Sequence, residues 1–349
     1  MIPRYDVRDL PRERLEELLS AMPSLRVAVV GDYSLDRYGA GEVSGVSRET
    51  GDRVNRLWWH AFNPGGAGNV AWNVADLGGQ VRAICVIGDD EFGRILTNHL
   101  KRSAADTKRI VRDPGRITGS YEKLQVADQD GAKREVRLDV DNRNPITEES
   151  EFAVVNAVKV AMIECDAIIA ADYNEEAMGI LTARVTRAVC AAAERKDKLV
   201  AAISRTRPMN FAPAMLVVNE YEACHATGVC EPAIFDEVDE DTVARAGALI
   251  AERTGRPSFV TLGRRGMLVT GSAGGATVVP TRPPRGETDI TGAGDSALAG
   301  IVLCLGAGAS PAEAAAVGNL AAYVTIHKLN TTGTATPEEI LREHAATVR

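Results

Sequence analysis

Two periodicities divide this chain. Short apolar runs rich in Val, Ile and Ala end abruptly at Gly or Asp, and between them lie stretches in which apolar residues recur every third or fourth position. The first kind reads as buried strand, the second as amphipathic helix. Leu25-Arg-Val-Ala-Val-Val-Gly31 opens the series as a strand, after a charged amphipathic segment, Pro11-Arg-Glu-Arg-Leu-Glu-Glu-Leu-Leu19, that reads as a surface helix. Val70, Ala71, Val74, Ala75 and Leu77 mark a helix closed by Gly78-Gly79, and a strand over 81–87 and a helix over 91–101 follow. From 148 onward the alternation is regular: helix 148–162, strand 166–171, helix 177–195, strands 198–203 and 214–218, helix 239–254, strand 257–262, then helices near 293–306, 311–326 and 337–346. Crossover units of this kind predict a three-layer α/β/α domain with a mainly parallel sheet.

Two regions break the rhythm. Residues 38–62 carry scattered Val, Leu and Trp without a long apolar run and read as exposed strands and turns. Residues 117–126 and 134–140 alternate polar and apolar around Asp128-Gln-Asp-Gly131, the pattern of an exposed hairpin. Together they predict a second, small sheet.

Composition narrows the classes. With 45% hydrophobic and 25% charged residues the chain is of the soluble globular kind. A net charge of −8 argues against a broad nucleic-acid footprint, and no stretch approaches the ~20 apolar residues of a membrane span. The N-terminus resembles no signal or transit sequence, and the six cysteines lie mostly in apolar runs, so a reduced, cytoplasmic protein is expected. Cys224-His225 with Cys230 supplies three soft donors at a spacing poor for a metal, and ordinary helix and loop residues are the better reading.

Three segments carry candidate chemistry. Asp289-Ile-Thr-Gly-Ala-Gly-Asp295 is a glycine turn opening an apolar helix, so its backbone amides suit an anion, and Asp295 beside them is placed to take a proton from an attacking hydroxyl. Taken alone, it reads equally as a first-turn acid on a closely packed helix. Asn63-Pro-Gly-Gly-Ala-Gly-Asn69 again sets glycines before a helix, with Asn69 offering a donor and an acceptor to a polyol; a helix cap on a flexible turn is the alternative. Gly31-Asp32-Tyr-Ser-Leu-Asp36 places two carboxylates at the carboxyl end of the first strand, where open α/β sheets bind ligands, or else two solvated loop acids.

In this order the segments resemble the ribokinase/PfkB family of carbohydrate and nucleoside kinases, from Leu25 to about Pro337. The match is most specific at Gly65-Gly-Ala-Gly-Asn-Val-Ala-Trp-Asn-Val-Ala-Asp-Leu-Gly78 and at Asp289 to Asp295. Within the family, Gly31-Asp-Tyr-Ser-Leu-Asp-Arg-Tyr38 is most similar to the kinase half of the heptose-phosphate kinase/adenylyltransferase group. The resemblance implies a single ribokinase-like domain over 1–349, with a lid from about 38–62 and 117–140 that closes over the sugar and pairs two subunits. It implies ATP-dependent transfer to a sugar or sugar-phosphate hydroxyl, with Asp295 as base and the amides of Gly292, Ala293 and Gly294 as anion hole. Sugar contacts would come from Asp32, Asp36, Gly65, Gly66 and Asn69. Asn219 and Glu222, in Val217-Val-Asn-Glu-Tyr-Glu222, would organise Mg²⁺; Thr261, Gly263, Gly266 and Asn319 would line the ATP site with Asn219. Backbone carbonyls near Asp289 and Thr291 would suit a monovalent cation such as K⁺.

The departures from the family are equally concrete. Asp172-Tyr173 leads into Asn-Glu-Glu-Ala where heptose kinases carry a lysine, which disfavours a phosphorylated sugar at that spot. Ala202-Ile-Ser-Arg-Thr-Arg207 lacks the usual acid but offers Arg205 and Arg207, which could hold a substrate phosphate or cover the surface. Lys328-Leu-Asn-Thr-Thr-Gly333 is longer than the usual Lys-x-Gly turn and implies altered adenine-side contacts. The chain ends where the kinase half would, so no nucleotidyltransferase module is expected. A nucleoside or phosphorylated-ketose kinase, and a non-catalytic sugar- or nucleotide-binding regulator, are the alternatives.

Overall fold

The apolar runs become strands and the amphipathic stretches helices in the computed structural model, which describes residues 2–348 apart from 129, 175–177, 196, 235 and 272–273. Helix α1 (Arg12–Ala21) leads into β1 (Arg26–Gly31), all but its first residue buried. Two long strands, β2 (Tyr33–Val46) and β3 (Arg53–Gly66), return the chain directly into α2 (Ala67–Asp76). Next come β4 (Gln80–Gly88), α3 (Glu91–Arg102), β5 (Asp106–Asp113), β6 (Ser120–Ala127), β7 (Lys133–Val140), α4 (Glu148–Glu164) and β8 (Ala167–Asp172). The rest runs α5 (Ala183–Ala193), β9 (Leu199–Ser204), β10 (Met215–Asn219), α6 (Glu220–Thr227), α7 (Glu240–Thr254), β11 (Ser258–Thr261), β12 (Met267–Thr270), β13 (Ala276–Val279), α8 (Ala293–Gly306), α9 (Pro311–Ile326) and α10 (Pro337–Val348).

Among the described residues nine strands form one sheet in the order β13-β12-β11-β10-β9-β8-β1-β4-β5, parallel except for the β11-β12 and β12-β13 pairs. Helix α8 packs against both α2 and α9 on one face, and α4 packs against α5 on the other, giving three layers. The parallel strands must be apolar on both faces, and β8, Ala-Ile-Ile-Ala-Ala-Asp, is buried at every position. Gly31 lets β1 and β8 approach closely, since a Cβ there would lie 2.2 Å from the Ala171 carbonyl oxygen.

The other four strands form the small sheet, in the order β3-β2-β6-β7. Its strands are longer than the sequence suggests. Asp36 pairs with Asn63 and Ser34 with Gly65 inside the β2–β3 ladder, so Asp36, Gly65 and Gly66 belong to strands and not to the loop and turn expected of them. The ladder keeps going because its inner half packs on the large-sheet body; Leu35 is wholly buried, whereas Val46 is 67% exposed. Only Asp32 separates β1 from β2, and α2 begins directly after Gly66. The small sheet therefore grows out of the carboxyl end of β1.

One other expectation changes, and three strands were not read from the sequence at all. The helix expected over 177–195 begins at Ala183, because Thr182 caps it by accepting from the Val185 amide; residue 177 lies outside the described residues. Ile180 and Leu181, read there as helical periodicity, are loop residues buried in the core. Strand β5 is a charged edge strand, and β12 and β13 are four-residue hairpin strands, too short to register as apolar runs. Among the described residues no helix is long and apolar enough to cross a membrane.

Candidate active site

At the carboxyl edge of β1 and β8 the two sheets meet, and four separate elements bring side chains together. The first is the start of α8. Gly292 occupies its N-cap in the left-handed region (φ 80°), a conformation that costs other residues strain. Ala293, Gly294 and Asp295 then form the first turn, whose amides have no partners within the helix, although that of Ala293 donates to the Ile290 carbonyl at 3.2 Å. A Cβ on Gly294 would meet nothing within 4 Å, so the turn is open to a ligand.

The second element is the first turn of α2. Asn69 is fully buried and its Nδ2 donates to Asp295 Oδ2 at 2.8 Å. Its orientation is fixed: Asn73 Nδ2 donates to Asn69 Oδ1 at 3.1 Å, while Asn73 Oδ1 accepts from Ser296 Oγ at 2.6 Å, which in turn meets Thr325 Oγ1 at 2.7 Å. A buried chain of hydrogen bonds in which every member is satisfied holds its ends rigidly, so α2, α8 and α9 together aim the amide at Asp295.

The loop after β8 is the third element. The Tyr173 hydroxyl donates to Asp295 Oδ1, and Arg205, after β9, lies over the Tyr173 ring with its guanidinium carbon 5.4 Å from the centroid. Burial pushes the Asp295 carboxyl up to about 6, helped by the Asp36 charge and opposed by the Tyr173 and Asn69 hydrogen bonds and by Arg205. Such a group is ionised at neutral pH yet basic enough to accept a proton.

The small sheet is the fourth. Asp36 is buried, which raises its pKa, and it accepts from Thr332 Oγ1 at 2.9 Å. Gly65 is required beside it, since a Cβ there would lie 2.1 Å from Asp36 Oδ1; Gly66 has φ 54° and backs onto the Asp32 carbonyl. The longer turn at 328–333 reaches this part of the small sheet. Its Thr332 holds Asp36, and Thr331 Oγ1 lies 2.9 Å from the Asn63 amide.

Asp32 has different partners from Asp36. Its Oδ2 accepts from the amides of Tyr173 (3.2 Å) and Asn174 (3.3 Å), and its Oδ1 from Ile180 (2.8 Å). Burial and the Asp172 charge push it up to about 6. Asp32 organises the loop that carries Tyr173. Likewise Arg207 pairs with buried Asp172 through two 2.8 Å bonds, so of the two arginines weighed from the sequence only Arg205 stands over the site. Glu175 and Glu176, the acidic replacement noted there, lie outside the described residues.

The residues expected around ATP and metal form a neighbouring group. Asn219 caps α6 reciprocally with Glu222: the Glu222 amide donates to Asn219 Oδ1 at 2.7 Å and the Asn219 amide to Glu222 Oε2 at 2.9 Å. This capping box was legible in Asn-x-x-Glu itself. Burial pushes Glu222 up to about 7, with Arg205 opposing, which places the carboxyl within electrostatic reach of the site. Thr261 ends β11, Gly263 (φ 55°) and Gly266 (φ 97°) shape the turn after it, and Asn319 Nδ2 donates to the Val279 carbonyl at 2.8 Å. These four make no hydrogen bond to Asp295 or Asn69 among the described residues. Asp289 Oδ1 accepts from the Thr291 amide at 2.9 Å, and Thr291 Oγ1 accepts from Lys123 Nζ at 2.7 Å.

Sequence reasoning missed Tyr173, Thr332 and Lys123. Tyr173 had a signal, its place at the carboxyl end of a strand, and Thr332 lies in the lengthened turn at 328–333; Lys123 had none.

The doubly covered, mainly parallel sheet with the small sheet at its carboxyl edge is a ribokinase-like fold. Similar solved structures include Arabidopsis thaliana ribokinase complexed with ribose and ATP (TM-score 0.67, 16% identity, 92% of this chain and 98% of that one). Phosphofructokinase-2 from Escherichia coli in complex with substrates and products is another (TM-score 0.69, 20% identity, 93% and 99%).

The chain belongs to the pfkB family of carbohydrate kinases, whose family model matches residues 25–339, and by class it is an ATP-dependent carbohydrate kinase. It is 32% identical over 335 residues to the bifunctional protein HldE of Trichlorobacter lovleyi, covering 95% of this chain and 65% of that protein. To HldE of Caulobacter sp. strain K31 it is 34% identical over 322 residues, 91% and 63%. The chain thus spans about two thirds or less of the length of these curated relatives.

Proposed function

We propose that this protein transfers the γ-phosphoryl group of ATP to a hydroxyl of a sugar phosphate of the heptose kind, with Asp295 as general base. The observation that carries this reading is the Asp295 carboxyl itself, buried, raised to about 6 and held by Asn69 and Tyr173 beside the open turn at Gly292 to Gly294. Asp36, Asn69 and the backbone at Gly65 and Gly66 hold the sugar. The acceptor hydroxyl gives its proton to Asp295 as its oxygen attacks, and the amides of Gly292, Ala293 and Gly294 hold the transferred group. Arg205 is the cation for a substrate phosphate: its charge acts on Asp36, Tyr121 and Asp295 alike, so it faces the cleft these groups share.

Among the described residues no three His, Cys, Asp or Glu side chains cluster as a metal cage. Mg²⁺, which binds few protein oxygens and keeps its waters and phosphates, fits the pair of Asn219 and buried Glu222. When bound it would neutralise phosphate charge. The carbonyls near Asp289 and Thr291 are the candidate ligands of a monovalent cation such as K⁺. Thr261, Gly263, Gly266 and Asn319 remain the candidate ATP contacts, and the cytoplasm, where ATP is plentiful, the expected compartment.

The test is ADP release from ATP with a panel of sugars, hexose and heptose phosphates and nucleosides. A heptose phosphate should be the best acceptor; stimulation by none of the panel would refute the reading, and a nucleoside as best acceptor would replace its substrate. The activity should also fall about tenfold per pH unit below about pH 6, because the base works only when ionised and burial sets its pKa near 6. A kcat/KM profile flat down to pH 5 contradicts this.

The small sheet is the proposed lid and dimer surface. Trp58, the extra residue where the β2–β3 register shifts, is 64% exposed and Trp59 is 42% exposed, with Leu138 at 51% on β7. Exposed aromatic and aliphatic side chains of this size mark interaction surfaces. Replacing both tryptophans with Glu should turn a dimer into a monomer in sedimentation velocity. A wild type that sediments as a monomer refutes the pairing.

A further inference from the structure

Lys123 is a cation that the reaction described so far does not use. It lies on β6 directly across from Tyr38 of β2, within the small sheet. Its ammonium nevertheless leaves that sheet and donates to Thr291 Oγ1, 2.7 Å away on the turn that opens α8. The Tyr38 ring sits 5.6 Å from the nitrogen. The side chain is half-buried, and its partners among the described residues are that one hydroxyl and that one ring. Asp36 feels its charge at longer range. An ammonium partly withdrawn from water is stabilised best by an opposite charge close at hand, and the next three residues after Thr291 are Gly292, Ala293 and Gly294. An anion seated on their amides would lie beside it.

We propose that Lys123 is a catalytic cation, carried by the small sheet to the phosphoryl group at the Gly292–Gly294 turn; this rests on the kinase reading above. In the transfer the acceptor oxygen bonds to the γ-phosphorus while the bond from that phosphorus to the β,γ-bridging oxygen breaks. The acceptor proton goes to Asp295, and ADP leaves with the electron pair of the broken bond. Lys123 takes no part in that proton transfer and faces the peripheral oxygens, where charge is spread in the transition state. Because the same sheet bears Asp36, covering the sugar and completing the charge at phosphorus become one motion, and ATP without an acceptor is left short of a cation.

The full chain is compared as wild type, Lys123→Met and Lys123→Arg in two measurements. The first is binding of ADP–Mg²⁺ with and without aluminium fluoride, which stands in for the phosphoryl group in flight. Wild type should bind the fluoride complex at least about 100-fold more tightly than ADP–Mg²⁺ alone, a tightening of the kind expected for transition-state mimics. Lys123→Met should lose most of that gain while binding ADP–Mg²⁺ as wild type does, and Lys123→Arg should recover part of it. The second is steady-state transfer to the best acceptor of the panel. Lys123→Met should lower kcat about 100-fold with the acceptor KM within about threefold, the signature of an interaction made in the transition state. Equal fluoride enhancement in wild type and Lys123→Met, or an effect on KM alone, overturns the proposal and leaves the kinase reading intact. No binding of ADP–Mg²⁺ by the wild type overturns both.

Discussion

Asp295→Asn is expected to lower acceptor-dependent kcat about 10³-fold, the middle of the range for loss of a positioned general base. The amide fills the same space but cannot take the acceptor proton, so binding of ATP should survive. Stability supplies an independent sign. Burial holds the Asp295 carboxyl at about 6 in the folded protein, above its value in the unfolded chain. Between those two values the folded state binds more protons, so stability falls as pH rises through that window. Above it the buried charge burdens the fold, and the neutral amide removes the burden. In scanning calorimetry Asp295→Asn should melt no lower than wild type at pH 8, and its advantage should shrink at pH 5. A variant that is inactive because it has unfolded would show the opposite.

Gly292→Ala is expected to act through geometry alone. The position has φ 80°, where a Cβ costs about 1–2 kcal/mol of backbone strain. That Cβ would also stand 2.5 Å from Asn69 Nδ2, the atom that holds Asp295 Oδ2. Asn69 cannot turn aside, because Asn73, Ser296 and Thr325 fix its amide from behind. Either the turn opens or Asn69 retreats from the carboxylate, and a displacement of about 1 Å at a reacting centre costs on the order of 10² in rate. The variant should lose about 100-fold or more in kcat/KM and also unfold at lower denaturant, unlike Asp295→Asn. Wild-type kinetics from Gly292→Ala would mean that the turn is not where the reaction happens.

The parts of the fold legible in the sequence were those that burial writes as periodicity. Strand β1 and helices α2, α8 and α9 are apolar in their own repeat, and their limits fell within a few residues of the expected ones. The charged strand β5 is legible only from its neighbour β4, with which it pairs, and the start of α5 was hidden because Ile180 and Leu181 are buried in a loop with helical spacing. At the site, Asp295 and Asn69 stood out because glycine turns at helix starts leave a local mark; that they touch did not. Tyr173, Thr332 and Lys123 reach the site across 122, 296 and 168 residues of chain to Asp295, Asp36 and Thr291. Contacts that long in sequence leave no local pattern. Asp32 shared a segment with Asp36, and only the structure shows the three loop amides that converge on it.

The central claim is that Asp295 makes the acceptor hydroxyl the nucleophile, and a rapid quench tests it most directly. Enzyme saturated with γ-labelled ATP, Mg²⁺ and the best acceptor of the panel is stopped within one turnover at pH 7.5, and the label is followed. The account predicts label in a phosphate ester of the acceptor for wild type and almost none for Asp295→Asn, with ATP bound equally by both. Label appearing as the same ester at the same rate in both proteins, or only as inorganic phosphate in the wild type, would contradict it.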